Sequence, residues 1–145
     1  MNTISIKTLP KKIEIKGIGI DIASTPKIAR LIDRYDRETL TMVFTPQEQN
    51  YCQSVSNCDR VASPNCAYAL CFAIKEAVGK ALGIGLVGID WNEIEVDLSQ
   101  EQPAVCLHGR AKTQAQRLDI QQWLVDWWKW QDCVVVNVLA LSTDL

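Results

Sequence analysis

The sequence predicts an α+β fold in which a mostly antiparallel sheet packs with a long central helix. Two observations support this class: helical and strand patterns interleave along the chain, and the strand patterns are too short for a doubly wound parallel sheet. The chain has 145 residues, of which 48% are apolar, so it can bury a core of its own. We therefore expect one domain over residues 1–145, with residues 1–12 as a flexible extension.

The first predicted strand covers Ile13–Ile22, where apolar residues alternate with other residues. The alternation slips near Gly17, and this slip predicts a β-bulge or bend. Beyond the slip, one face of the strand carries isoleucines and the opposite face carries Gly17, Gly19 and Asp21. Bare glycine backbone lets another element approach closely, so Asp21 is the first candidate for a functional site.

Three helices are predicted next from their capping residues. The first begins at Thr25, with Pro26 as its first helical residue, and continues to about Arg37. The second covers Thr45–Gln53 and opens with a capping box. The longest helical pattern runs over about Asn65–Leu82, and its apolar residues form one continuous stripe. This helix is the expected centre of the core.

Shorter elements are predicted in the second half of the chain. The long helix stops at the turn Gly83–Gly85, and strands follow at Glu93–Leu98 and Ala104–Leu107. A helix near Gly109–Leu118 precedes two further strands within Trp123–Leu141. The four tryptophans of that last segment indicate a doubly covered core or a subunit interface, with base stacking as the lesser alternative.

Composition argues against several classes of partner. The formal net charge of −2 favours neither nucleic acid nor an anionic membrane. No apolar run reaches the roughly 18 to 20 residues that span a bilayer, and we expect a cytoplasmic protein with reduced thiols. The six cysteines include no CxxC pair and the chain has one histidine, so no structural zinc site is expected and His108 is interpreted as structural.

Two charged residues of the long helix are candidates for chemistry. Glu76 and Lys80 lie about 40° apart on a face of small residues, although this spacing equally predicts a solvated ion pair contributing about 0.3 to 0.5 kcal/mol. Asp21 and Glu76 together would suit Mg²⁺, which takes one or two protein carboxylates and leaves other positions for water and phosphate oxygens. Spacing alone does not show that the two carboxylates meet.

The first predicted helix also carries a basic ridge. Its four members, which fall within about 80° of one another around the helix axis, are Lys27, Arg30, Arg34 and Arg37. On an acidic protein such a ridge is either an ordinary solvated face or a docking surface that steers an acidic partner.

Two motifs resemble the paired signatures of the 4'-phosphopantetheinyl transferase superfamily, and they agree with them in order and in spacing. They are GIGIDI, at Gly17–Ile22, and FAIKEAVGKALGIG, at Phe72–Gly85. Two further segments, Phe44–Gln53 and Pro103–Lys112, are similar to the transferase domain attached to fungal fatty acid synthases. The resemblance covers about Gly17–Leu141 and is to the small holo-(acyl-carrier-protein) synthase type.

This resemblance implies a site for magnesium and coenzyme A. In the family, the aspartate of the first motif and the glutamate of KEA coordinate Mg²⁺, which places the metal on Asp21 and Glu76. The second lysine of the KEAxxK pattern, Lys80, faces the coenzyme A phosphates, and Gly83 and Gly85 follow it in the cofactor-binding motif. Asp21, Glu76 and Lys80 are thus the implied catalytic set, with coenzyme A as substrate.

The resemblance also implies a reaction and a partner. A carrier-protein serine attacks the β-phosphorus of coenzyme A, takes phosphopantetheine and releases adenosine 3',5'-bisphosphate. Lys80 would either stabilise the leaving phosphate or help to remove the serine proton. Lys27, Arg34 and Arg37 match the positions that receive an acidic acyl or peptidyl carrier protein. Short family members form homotrimers that bind coenzyme A between neighbours.

The chain departs from the family pattern at two places. Cys71 stands where small bacterial members commonly carry arginine, and Asp126 and Lys129 replace the serine and histidine of a C-terminal strand motif. The first hypothesis remains an active transferase. The second is a weakened or inactive relative that binds coenzyme A or a carrier protein, and the third is an unrelated α+β domain with ordinary surface ion pairs.

Overall fold

Strands and helices alternate along the chain in the computed structural model, which describes residues 12–56 and 60–143. The expected N-terminal extension lies outside the described residues except for its last residue. The first half of the chain forms strand β1 at Ile13–Ser24 and then four helices, which are α1 at Thr25–Arg34, α2 at Arg37–Leu40, α3 at Pro46–Ser54 and α4 at Pro64–Ala81. A 3₁₀ turn at Trp91–Glu93 follows, with strands β2 at Ile94–Asp97 and β3 at Ala104–Leu107. The last elements are helix α5 at Gly109–Arg117 and strands β4 at Gln122–Trp130 and β5 at Cys133–Thr143.

The strands form two antiparallel sheets. One has three strands in the order β1-β5-β4, and the other pairs β2 with β3. The pairing of β1 with β5 shifts register between Ile15 and Gly17, which confirms the predicted bulge. The α+β prediction is confirmed, because the pairings between the described strands are all antiparallel and long helix α4 packs against the larger sheet.

Helix α4 occupies the centre of the core, as its apolar stripe predicted. Its inner face packs on β1 and β5, and Leu70, Ile74 and Val78 are completely buried there. Opposite them, β5 contributes alternate valines, of which Val134 and Val136 are also completely buried. Burial of each such side chain contributes about 1.5 to 3 kcal/mol before the entropy of ordering is subtracted.

Two glycines set the distance between β1 and α4. A Cβ atom on Gly17 would lie 2.0 Å from the carbonyl oxygen of Ala81, and one on Gly19 would lie 1.7 Å from that of Ala77. No real Cβ contact is this short, so any larger residue at either position would force the helix away from the strand. The close approach that the glycines of β1 predicted is therefore made by the backbone of α4.

The first predicted helix is shorter than its apolar pattern indicated. Ser24, rather than Thr25, caps α1, and the helix ends at Arg34 because Tyr35 adopts an extended conformation. The Asp36 side chain then accepts a hydrogen bond from the Thr39 amide and starts the separate helix α2. Arg37 thus begins a new helix, and its assignment to a single continuous ridge on α1 was wrong.

The outer face of the three-stranded sheet is exposed and largely apolar, with the polar residues Asn137 and Asp126 in its middle. We call this surface the outer sheet face; its large exposed side chains are Ile18, Ile20 and Ile22 of β1 and Leu124, Trp128 and Trp130 of β4. Trp127 instead faces inward and is buried, so the tryptophans of β4 serve both the core and this surface. Among the described helices, none is both long and apolar enough to cross a membrane.

Candidate active site

Asp21 and Lys80 meet where β1 passes over the last turn of α4. The Lys80 Nζ atom donates to Asp21 Oδ1 at 3.0 Å and to the carbonyl oxygen of Ile20 at 2.8 Å. Among the described residues, the ion pair of Lys80 is with this strand carboxylate and not with Glu76, its neighbour one turn earlier. The local i,i+4 ion pair considered from the sequence is therefore replaced by a contact between two elements.

Glu76 shares this environment. It is half-buried on α4, and burial raises the pKa of its carboxyl above the ordinary value; the negative charge of Asp21 raises it further, whereas Lys80 lowers it. The three side chains thus form one electrostatic cluster, which we call the charge cluster. It contains two carboxylates and one ammonium group, so one negative charge lacks a fixed partner within it.

A magnesium ion fits the charge cluster. Carboxylate oxygens are the ligands that Mg²⁺ prefers, and the mutual repulsion of two half-buried carboxylates is relieved when a cation binds. Within residues 12–56 and 60–143, no group of three or more His, Cys, Asp or Glu side chains gathers as a metal site. Asp21 and Glu76 would supply the carboxylate ligands, and water and phosphate oxygens would take other positions.

The turn that follows α4 is close to Lys80 in the sequence and caps the helix. The Gly83 amide donates to the carbonyl oxygen of Lys80, and Gly83 and Gly85 have φ angles of +80° and +59°, in the left-handed region that favours glycine. A Cβ atom on either would meet nothing within 4 Å. Both positions thus have open space where a Cβ atom would lie, near the end of the helix that carries Lys80.

A cavity of about 660 Å³ is lined by the end of β1, by α1 and by α4, and we call it the α1 cavity. It begins at Ile22, one residue after Asp21, and Phe72 on its wall lies one turn before Glu76 on α4. The Phe72 ring stacks on the Trp91 ring with centroids 4.7 Å apart. The other residues that line it include Lys27, Ile28 and Val43.

The basic residues of α1 are exposed, and one of them lines this cavity. Lys27 lines it, and Arg30 and Arg34 are exposed further along the helix. Arg37, in α2, is instead tied to α3, because its guanidinium donates to Gln53 at 3.2 Å and also to Asn50. The surface formed by Lys27, Arg30 and Arg34 is hereafter the basic ridge.

A buried ion pair was missed by the sequence interpretation. Lys75, next to Glu76, is completely buried, and its Nζ atom lies 2.8 Å from the equally buried Glu48 Oε1. The only signal in the sequence was the position of Lys75, which follows the buried Ile74 and lies about 100° from Glu76 around the helix. Glu48 is the glutamate of the capping box at the start of α3.

The positions that depart from the family pattern differ in their surroundings. Cys71 is buried, and its Sγ atom lies 4.0 Å from that of Cys52. Its thiol pKa is well above the ordinary value because of this sulfur contact and burial. The side chain at this position therefore packs in the core and offers no charge to a ligand. On β4, Asp126 and Lys129 are both exposed.

The comparisons with known proteins agree on one family. A family model described as the 4'-phosphopantetheinyl transferase superfamily matches residues 17–132. The holo-(acyl-carrier-protein) synthase of Gloeobacter violaceus is 35% identical over 128 residues, which cover 86% of this chain and 92% of that protein. The family-model match includes both motifs that carry the charge cluster.

Solved structures show the same fold. The holo-(acyl-carrier-protein) synthase from Neisseria meningitidis superimposes with a TM-score of 0.71 at 27% identity, covering 88% of this chain and 98% of that one. The enzyme from Helicobacter pylori, solved in complex with coenzyme A, has a TM-score of 0.68 at 24% identity and covers 85% and 98% of the two chains.

Proposed function

Because this chain belongs to the 4'-phosphopantetheinyl transferase superfamily and is of the holo-(acyl-carrier-protein) synthase type, we propose that it transfers 4'-phosphopantetheine from coenzyme A to a serine of an apo acyl carrier protein. Adenosine 3',5'-bisphosphate is the second product. The observation that carries this proposal is the charge cluster, in which Asp21, Glu76 and Lys80 are brought together from two motifs distant in sequence.

In this proposal Asp21 and Glu76 hold magnesium and Lys80 binds phosphate. When bound, Mg²⁺ supplies positive charge that offsets the charge of the coenzyme A pyrophosphate. Lys80 donates two of its three ammonium hydrogens to oxygens of β1, and its side chain is 48% exposed, so the third can reach a phosphate oxygen. Phosphate binding by Lys80 is therefore the role proposed here, and removal of the serine proton is the alternative that the Lys80 variants test.

The turn beside Lys80 completes the proposed phosphate site. Gly83 and Gly85 lack side chains, so a phosphate oxygen can approach their backbone without a steric barrier. Orientation of the serine and the phosphorus, rather than a covalent enzyme intermediate, provides most of the rate enhancement in this scheme.

The carrier protein docks on the basic ridge in the same proposal. Exposed Lys27 and Arg34 attract an acidic helix, and the α1 cavity beneath them accepts an apolar side chain of the carrier. Arg37, which was also expected to bind the carrier, contributes from α2 while it is held by Gln53. Docking on this surface would bring the carrier serine toward the charge cluster, near the end of β1 that carries Asp21.

A homotrimer is the proposed assembly. Monomeric proteins rarely expose an extended apolar surface such as the outer sheet face. The likeness to the family favours a second copy of the chain as the partner that covers this surface. Coenzyme A would then bind between neighbouring subunits.

A transfer assay tests the proposed function. The full chain is incubated with apo carrier, coenzyme A and Mg²⁺, and the carrier is expected to gain the mass of phosphopantetheine; chelation of the metal should stop the gain.

Asp21→Ala and Glu76→Ala should each lower kcat/KM at least about 100-fold, since they remove a metal ligand. The control, Glu101→Ala, changes an exposed loop carboxylate. Coenzyme A binding without transfer across several carriers would instead support the inactive binding module.

A further inference from the structure

The buried ion pair of Lys75 and Glu48 takes no part in the reaction proposed above, yet it joins several elements. The Lys75 Nζ atom contacts Glu48 Oε1 at 2.8 Å and donates to the carbonyl oxygens of Ile94 at 2.7 Å and Trp91 at 3.1 Å. These three acceptors satisfy all three hydrogens of the ammonium group. An amine so completely enclosed has a fixed position.

The Glu48 carboxylate is equally well satisfied. Its Oε1 atom accepts from the Thr45 amide at 2.8 Å as well as from Lys75, and its Oε2 atom accepts from the Val96 amide at 2.9 Å. One carboxylate thus connects the start of α3, the middle of α4 and strand β2. This number of charge-assisted hydrogen bonds offsets the cost of burying both charges.

The pair acts on the wall of the α1 cavity through Trp91. Lys75 holds the main chain of Trp91, and Phe72, three residues earlier on α4, holds its ring by stacking. Both contacts come from the helix that also carries Glu76. Because Trp91 is held at two points by α4, the cavity wall keeps a constant position relative to the charge cluster.

We propose that Lys75, paired with Glu48, is a positioning residue that holds Trp91 in the wall of the α1 cavity and so determines the affinity for the carrier protein. The inference rests on the proposed function, in which the carrier docks over this cavity. Lys75 is buried and contacts no substrate, so its effect is expected on carrier binding and not on the transfer step.

Three variants separate positioning from stability. Lys75→Met leaves the Glu48 carboxylate buried without its cation, and the melting temperature should fall by about 10 °C or more. Lys75→Met combined with Glu48→Gln removes both charges at similar volume and should recover part of that loss, because glutamine keeps one oxygen that can accept from the Thr45 or the Val96 amide. In the double variant the Trp91 carbonyl still lacks its donor, so we expect the KM for the carrier to remain about tenfold raised. Its kcat and its KM for coenzyme A should change less than about threefold.

Trp91→Leu provides the independent measurement. It removes the ring from the cavity wall while it keeps the Lys75 and Glu48 pair, and it should raise the carrier KM by a similar factor. Adding Trp91→Leu to the double variant should raise the KM no further, because both changes act on the same wall. Lys12→Met, at an exposed lysine, is the matched control and should leave every value unchanged.

The outcomes distinguish the two proposals. If the folded double variant or Trp91→Leu kept the KM of the wild type for the carrier, the positioning role would be overturned. The proposed transferase function would not be affected by that result. Carrier affinity is also measured by calorimetric titration, which needs no turnover. Absence of transfer by the wild-type chain would count against the proposed function alone, and the titration would still decide whether Lys75 and Trp91 control carrier binding.

Discussion

At the scale of single residues, burial rather than residue type distinguishes the roles of the charged side chains. Lys75 and Lys80 lie five positions apart on α4, but the first is completely enclosed and the second is 48% exposed beside Asp21. The enclosed lysine has only protein acceptors, so its role is structural, whereas the exposed one keeps a donor for a ligand. Adjacent positions, Lys75 and Glu76, thus serve different purposes.

Replacement of Lys80 tests whether its charge acts on phosphate. Lys80→Met should lower kcat/KM for coenzyme A about 100-fold, because a charge-assisted contact to the transferring group is lost. Lys80→Arg keeps the positive charge, which guanidinium retains at any working pH, and should restore at least a tenth of the activity. Steady-state kinetics measure both variants. If Lys80→Arg were as inactive as Lys80→Met, the removal of a proton by Lys80 would become the better explanation.

At the scale of elements, the site depends on how closely a strand and a helix approach. Gly17 and Gly19 allow the backbone of β1 to lie on Ala81 and Ala77 of α4. This contact lets Lys80 reach the Ile20 carbonyl and brings the strand carboxylate beside the helix carboxylate. The geometry of the charge cluster is therefore a property of two packed elements.

Gly19→Ala should separate these elements. The added Cβ atom would lie 1.7 Å from the Ala77 carbonyl oxygen, so we expect a loss of about 1 to 3 kcal/mol in the free energy of unfolding together with a reduced kcat. Denaturant titration and the transfer assay measure these effects. Gly88→Asn is the control, since this glycine has open space and a φ of +75°, a conformation that asparagine tolerates. A fully active, fully stable Gly19→Ala would contradict the close packing.

The proposed docking of the carrier on helix α1 predicts that charge reversal there should affect carrier binding. Arg34→Glu is expected to raise the carrier KM about tenfold at low salt, with the difference reduced at high salt by screening. The kcat at saturating carrier should stay near that of the wild type. Arg117→Glu, which changes an arginine at the end of α5, is the control. Equal effects of the two reversals would indicate a general charge effect instead of docking on the basic ridge.

At the scale of the whole molecule, the outer sheet face is the feature that a single chain leaves unexplained. Ile18, Ile20 and Ile22 are 56%, 57% and 60% exposed on one strand, across the sheet from the exposed Trp128 and Trp130. The same three strands bury their opposite face under α4. A sheet that is largely apolar on both faces is typical of burial on both sides.

Ile20→Lys should prevent self-association. A charge placed in the middle of the outer sheet face would be costly to bury between subunits, so the protein is expected to elute as a monomer. Light scattering after size-exclusion chromatography gives the mass. If coenzyme A binds between neighbours, transfer activity should fall together with the mass. Val87→Lys, at a loop residue that is 81% exposed, should leave both unchanged. A wild-type chain that is itself monomeric would count against the trimer.

Local signals in the sequence determined the elements and the motifs of this protein. The capping box at Thr45, the alternation and bulge of β1 and the apolar stripe of α4 each depend on residues close in sequence, and each was confirmed by the structure. The family likeness was equally readable, because two motifs supplied it. The likeness to a domain of fungal synthases stays a prediction.

Only the tertiary structure decided which charged groups meet. Lys80 binds Asp21, which is 59 residues away, and Lys75 binds Glu48 while donating to Ile94, 19 residues away. Helical spacing favoured Glu76 as the partner of Lys80, because it describes neighbours within one helix. The end of α1 at Arg34 and the exposure of the outer sheet face were also decided by packing. Propensity and periodicity act over a few residues, whereas partner choice depends on how separate elements bury their surfaces against one another.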